Sequence, residues 1–106
     1  SVATNNVMNP FTPYGDASLL RMANLYANVM QLGPEAFPLC MALITKGAAR
    51  LMRLEGYGLA VGDRADIVVL DATDPVEAFG CIAQPLAGFK RGRPSFLRPS
   101  ARILHP

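Results

Sequence analysis

The chain has 106 residues, 51% of them hydrophobic and 17% charged, with a net charge of +2. That is one domain's worth of chain or a piece of a larger one, and it is apolar beside the roughly one quarter of charged residues usual in globular domains. So small a positive charge argues against nucleic acid or an anionic membrane as partner. No run approaches the ~20 apolar residues of a membrane span, and no signal peptide opens the chain. Two cysteines, Cys40 and Cys81, offer no disulfide framework, which makes a reducing, cytoplasmic compartment the default.

Residues 1–15 have no helical period, and Pro10, Pro13 and Gly15 forbid one. Residues 1–3 read as the end of a strand and the remainder as a long loop. Asp16 is a suitable N-cap for a helix over residues 17–32, closed by Gly33 and Pro34. On a helical wheel Arg21, Asn24, Asn28 and Gln31 fall on one polar strip of roughly 80°. The apolar side chains fill an arc of about 240°, far wider than the ~100–180° that a surface helix buries. Such a helix wants cover on two sides, and the uncovered part of it would expose several of Leu20, Leu25, Val29 and Leu32.

A second short helix is expected over residues 35–44, with Pro38 in its first turn, and a third begins at Thr45, whose hydroxyl can accept a backbone N–H. Gly47 weakens this third helix by roughly 1 kcal/mol relative to Ala, so a close contact is expected there. Gly56, Gly58 and Gly62 punctuate the turn that follows. The strand expected over residues 65–70 contains the continuous run Ile67, Val68, Val69 and Leu70, which predicts cover on both faces. Asp63 and Asp66 flank its entry. Asp74 and Pro75 start a helical turn through Phe79. Residues 86–89 and 94–97 form two strands joined through Lys90, Arg91, Gly92 and Arg93. A further short strand is expected at residues 102–104.

Two of these stretches carry a family resemblance. Residues 44–71, ITKGAARLMRLEGYGLAVGDRADIVVLD, are similar to the C-terminal signature of the amidohydrolase superfamily, with its paired alanines, spaced glycines and an Ala-Asp before a β-branched strand. Upstream, Asn5, Asn6, Val7, Met8, Asn9, Pro10, Phe11, Thr12, Pro13, Tyr14 and Gly15 resemble the segment after the last barrel strand in cytosine deaminase-like members. The resemblance implies a fold of class α+β for this chain. Residues 1–55 would be the end of a (β/α)8 barrel, with its last strand, active-site loop and closing helices. Residues 56–106 would be C-terminal strands of the small β-sandwich domain.

The resemblance also implies a metal-dependent hydrolase. Complete relatives hold one or two divalent metals, zinc or iron, through histidines and an aspartate that also moves the proton of the attacking water. Metal-bound water is a nucleophile at neutral pH because the ion lowers its pKa to about 7. By that resemblance the position of the aspartate is Asn5 here, the candidate catalytic and metal-ligating residue; the alternatives are an ordinary loop asparagine in a decayed or non-catalytic homologue, or a ligand that lies before residue 1. An amide has an acceptor oxygen but no negative charge and cannot take up a proton. The one histidine, His105, has no partner at ligand spacing and reads as a solvated side chain. A catalytic zinc site needs three protein ligands, so no cofactor is expected in the isolated chain.

Other residues have plainer readings. Cys40, with no basic neighbour, reads as a core cysteine rather than a nucleophile. Lys90, Arg91 and Arg93 read as a solvated hairpin turn rather than a nucleic-acid patch. The glycines precede a strand rather than opening a helix, so they are no phosphate loop. Asp66 and Asp71 are placed to bond backbone at the strand ends. Met22, Met30, Met41 and Met52 read as packing.

The reading that results is a C-terminal fragment or truncated homologue of a cytosine deaminase-like amidohydrolase, acting when complete by hydrolytic deamination or C–N cleavage of a cyclic amide or amidine, and not competent alone. The alternative is a non-catalytic, self-associating α+β module. Both predict a homo-oligomer or a partner chain that supplies the missing barrel, with no role for nucleic acid or membrane.

Overall fold

The computed structural model describes residues 1–99 and 101–104. Four helices and three strands follow an irregular N-terminal segment: α1 (Leu19–Val29), a 3-10 turn (Pro34–Ala36) running into α2 (Phe37–Ile44), α3 (Lys46–Leu51), β1 (Ile67–Leu70), α4 (Pro75–Gly80), β2 (Pro85–Lys90) and β3 (Arg93–Leu97). This is an α+β arrangement. None of these helices is long and apolar enough to cross a membrane.

The first helix is shorter than its apolar pattern. Ala17 sits at φ 57° in the left-handed region, so the helix cannot include it. Ser18, not Asp16, is the N-cap, its hydroxyl accepting the Arg21 N–H. At the other end Gln31 takes the left-handed position (φ 53°), and the Leu32 N–H returns to the Ala27 carbonyl. That backward bond is the Schellman closure, made two residues before Gly33. Arg53 and Ile82 hold the same left-handed position after α3 and α4. In all three a residue with a Cβ stands where glycine is easiest.

The core is helical. Ala23 and Ala27 on α1, Cys40 on α2 and Phe79 on α4 are buried, with Leu20, Leu32, Phe37, Met41 and Ile44 packed around them. The alanines let the helices approach closely, and Phe79 fills the gap against Phe37 with ring centroids 4.6 Å apart. Asn24 belongs to the polar strip, and its amide donates to the Phe79 carbonyl at 3.1 Å and ties α1 to α4. Gly47 meets the close contact expected of it: a Cβ there would lie 2.8 Å from the Ala42 carbonyl oxygen. The chain bends there between α2 and α3. Thr45 does not cap α3; its hydroxyl donates back to the Met41 carbonyl at 2.7 Å.

The sheet is antiparallel in the order β1-β2-β3. Ile67, Val69, Ala87, Phe89 and Leu97 share one face, and Val68, Gly88 and Phe96 the other. The Phe96 ring lies over Gly88, where any Cβ would collide with it. Arg91 (φ 50°) and Gly92 (φ 76°) make the two-residue hairpin turn with both central residues left-handed. The apolar run of β1 led to an expectation of cover on both faces. Instead Val68 and Val69 remain 59% and 43% exposed, because neither face has a second layer within these residues. Among the described residues, 1–3 and 102–104 pair with nothing and are not strands; an extended segment without a partner has no ladder to join.

Candidate functional site

Residues 4–18 form a braced loop that ends at the N-terminus of α1. Asn9 organises it. Its side-chain oxygen accepts the N–H groups of Phe11 (2.9 Å) and Thr12 (3.0 Å), an Asx turn that lets Pro10 sit at the bend. Backbone bonds between Asn9 and Thr12 close the same turn, and the Met8 N–H reaches the Tyr14 carbonyl. Gly15 rests on Val7 at φ 109°, a conformation that L side chains avoid. The brace holds an apolar tip in solvent, with Phe11 88% exposed and Met8 and Tyr14 close behind.

Asp16 closes the loop onto the helix. One oxygen accepts the Ser18 N–H at 3.0 Å, and the other accepts Nε and Nη2 of Arg21 at 3.0 and 2.8 Å. The Arg21 guanidinium, then the Ser18 N–H, hold its carboxyl below the usual carboxylate range, and the pairing pushes Arg21 up in turn. Asn5 lies at the mouth of this loop, exposed and left-handed at φ 57°. Asn6 beside it is also exposed. Among the described residues no set of three or more His, Cys, Asp or Glu side chains converges to hold a metal ion. The residues of this loop do not by themselves fit one.

The other sequence candidates take structural roles. Cys40 is fully buried in the helical core, and Cys81 is exposed at the end of α4. Asp66 clamps the hairpin: Oδ2 pairs with Lys90 Nζ at 2.6 Å, and Oδ1 accepts the Arg91 N–H at 2.8 Å. The Gly92 N–H donates to the Ala65 carbonyl at 2.9 Å, so residues 65 and 66 stitch the turn from both sides. Lys90, followed by the Arg91 N–H, draws the Asp66 carboxyl below its usual range. Lys90 is committed to Asp66, and the Phe96 ring lies over Gly88. The Asp71 carboxylate, expected to bond backbone at the strand end, makes no such bond among the described residues; only its own N–H is engaged, by the Gln84 carbonyl. Asp74 caps α4 through the N–H groups of Val76 and Glu77, while Glu77 accepts from Thr73, a reciprocal cap that lowers the Glu77 pKa. His105 lies outside the described residues.

The sequence reading missed Asn9 and Asn24. The signal for the first was an asparagine directly before proline in a loop; nothing local marked the second, because its partner is 55 residues away.

The family model of amidohydrolases matches residues 3–80, which is most of the chain and includes both the braced loop and β1. The chain belongs to the amidohydrolase family. It is 30% identical over 93 residues to N-isopropylammelide isopropyl amidohydrolase of Pseudomonas sp. (strain ADP), covering 86% of this chain and 23% of that protein. Among solved structures, 5-methylcytosine deaminase from Klebsiella pneumoniae liganded with 5-fluorocytosine superposes with a TM-score of 0.86 and 28% identity, over 95% of this chain and 25% of that one. N-isopropylammelide isopropylaminohydrolase from Burkholderia multivorans ATCC 17616 gives 0.76 and 31%, over 83% and 23%. The chain thus spans about a quarter of the length of the amidohydrolases it matches. Relatives in this family are generally metal-dependent.

Proposed function

We propose that this chain is the last quarter of a hydrolase that, when complete, cleaves a C–N bond of a cyclic amide or amidine by deamination or amide hydrolysis. In this reading residues 1–55 are the end of a (β/α)8 barrel with its active-site loop and closing helices, and residues 56–106 are part of the accompanying sandwich. The chain is competent only with the remaining three quarters of the fold, which would bring the histidine ligands and the greater part of the pocket.

One observation carries this reading: 95% of the chain superposes on a quarter of a deaminase, yet the chain leaves its own layers uncovered. The open surfaces point in several directions. Leu19, Leu25, Tyr26 and Val29 lie along the outer side of α1, Phe11 and Tyr14 at the loop tip, and Val68, Val69, Phe96 and Leu97 on the two faces of the sheet. A partner that wraps the chain covers all of these, whereas one flat patch against a second copy covers only one.

The test is co-expression of the chain with the Klebsiella deaminase lacking its matching quarter. The expected result is a one-to-one complex that co-purifies, while the isolated chain has no deaminase activity. Failure to form it, together with a compact chain on its own, removes the reading. A second reading, a non-catalytic self-associating module, is favoured by the outer strip of α1. Its only charged residue, Arg21, lies off that strip and is already neutralised by Asp16, so nothing opposes self-pairing. Oligomers of the isolated chain that exclude the truncated deaminase would select this reading.

A further inference from the structure

We propose that the braced loop brings an uncharged amide, Asn5, to the place where metal-dependent relatives bring a carboxylate, so that the completed protein holds the family's divalent cation at least tenfold more weakly than they do. This rests on reading the chain as the last quarter of the fold, with Asn5 at that position by the motif around it. The structure adds that nothing else in the loop can stand in for the missing charge.

Asp16 is the sole acid among residues 1–18. Both of its oxygens are taken, one by the Ser18 N–H and the other by two nitrogens of Arg21. A cation would meet a carboxylate whose charge is already paired with a guanidinium at 2.8 Å. Asn9 spends its side-chain oxygen on the N–H groups of Phe11 and Thr12, and releasing it would undo the turn. The amides of Asn5 and Asn6 are exposed and form no hydrogen bond among the described residues, so they join the loop's hydroxyls and carbonyls as acceptors, all of them uncharged. An amide oxygen can touch a cation but brings no negative charge and accepts no proton.

Hard divalent cations and zinc favour anionic oxygen or nitrogen and sulfur donors. Changes in groups merely hydrogen-bonded to such ligands already weaken metal binding by about 10–100-fold. Loss of the charge on a direct ligand is expected to do at least as much. The chain is in this respect a family member with the scaffold of the site and without its anionic corner.

The test replaces the last quarter of the Klebsiella deaminase with this chain, in two versions that carry Asn5 or Asn5→Asp. Zinc and iron content is read by elemental analysis, and zinc affinity by calorimetric titration after chelation. The expected result is that both fold by circular dichroism, and that the Asn5 version binds zinc at least tenfold more weakly than the Asn5→Asp version. Equal affinity in two folded chimeras overturns the inference and leaves the fold reading intact. If neither chimera folds while the parent does, the fold reading fails instead. The metal question then passes to the parent, where asparagine at the matching position with full zinc affinity would also overturn the inference.

Discussion

The outer strip of α1 offers the most direct test of what the chain needs around it. Leu25 and Val29 are one helical turn apart, 54% and 71% exposed, and neither contributes to the core formed by Ala23 and Ala27. Replacing both by glutamine leaves the core, the Ser18 cap and the Asn24 bond to Phe79 intact. In a chain that stands alone, such surface changes shift stability by no more than about 0.5 kcal/mol. In a chain whose strip is covered, the loss is the burial of the exposed part of two side chains. At about 2 kcal/mol for each fully buried side chain, those exposed fractions correspond to roughly 2.5 kcal/mol, or a factor of roughly 60 in association. Light scattering of the isolated chain across a hundredfold dilution gives the reference. The wild type is expected to scatter as a dimer or larger species, and the double variant, changed on every protomer, to dissociate at concentrations at least tens of times higher, with an unchanged circular dichroism spectrum. A wild-type chain that is a compact monomer throughout would show that it tolerates its uncovered strip. A double variant that associates as tightly as the wild type would place the contact elsewhere.

Phe79→Ala removes the largest fully buried side chain and leaves Phe37 without its partner; a loss of about 3–5 kcal/mol is expected, read as a collapse of the thermal transition. Gln31→Gly and Arg53→Gly relieve left-handed backbone at two helix ends and should each gain about 1 kcal/mol, seen as higher melting temperatures; a loss at either would mean that the side chain packs usefully. Asp16, Asp66 and Glu77 all have carboxyls held below their usual range in the folded chain. Their stabilisation is therefore fully present above the unfolded carboxylate range and lost as the pH falls through about 4 and below. Denaturant melts at descending pH should reveal this, and Asp66→Asn should flatten the dependence while speeding amide exchange at Arg91. The isolated chain is expected to bind no stoichiometric zinc or iron, because no ligand set converges within the described residues; one tightly held equivalent after chelator-free purification would refute this.

Local chemistry was enough to decide several elements. Asp74 and Pro75 determine the start of α4, because a carboxylate cap followed by a ring-fixed φ leaves little else to form. Gly92 and the β-branched run at Ile67 determine the hairpin and the strand beside it. The two motifs determine the family, since each places several residues at fixed spacing and the two occur in order. The sequence also settles the chemistry of Asn5: an amide carries no charge in any fold. Other features were decided only in three dimensions. Whether Asp16 or Ser18 caps α1 depended on which side chain the backbone at Ala17 turned inward, and the loser was recruited by Arg21. Asn24 sits on the polar strip of a helical wheel, and becomes a tie only because the fold brings the Phe79 carbonyl near the end of α4 beside it. The wheel predicted too much apolar surface on α1 and left several of Leu20, Leu25, Val29 and Leu32 exposed; Leu25 and Val29 are, while Leu20 and Leu32 pack against the core. Packing selected the alanines, whose small volume lets α2 and α4 approach, and left the larger Leu25 and Val29 outside, where a close helix contact does not reach them.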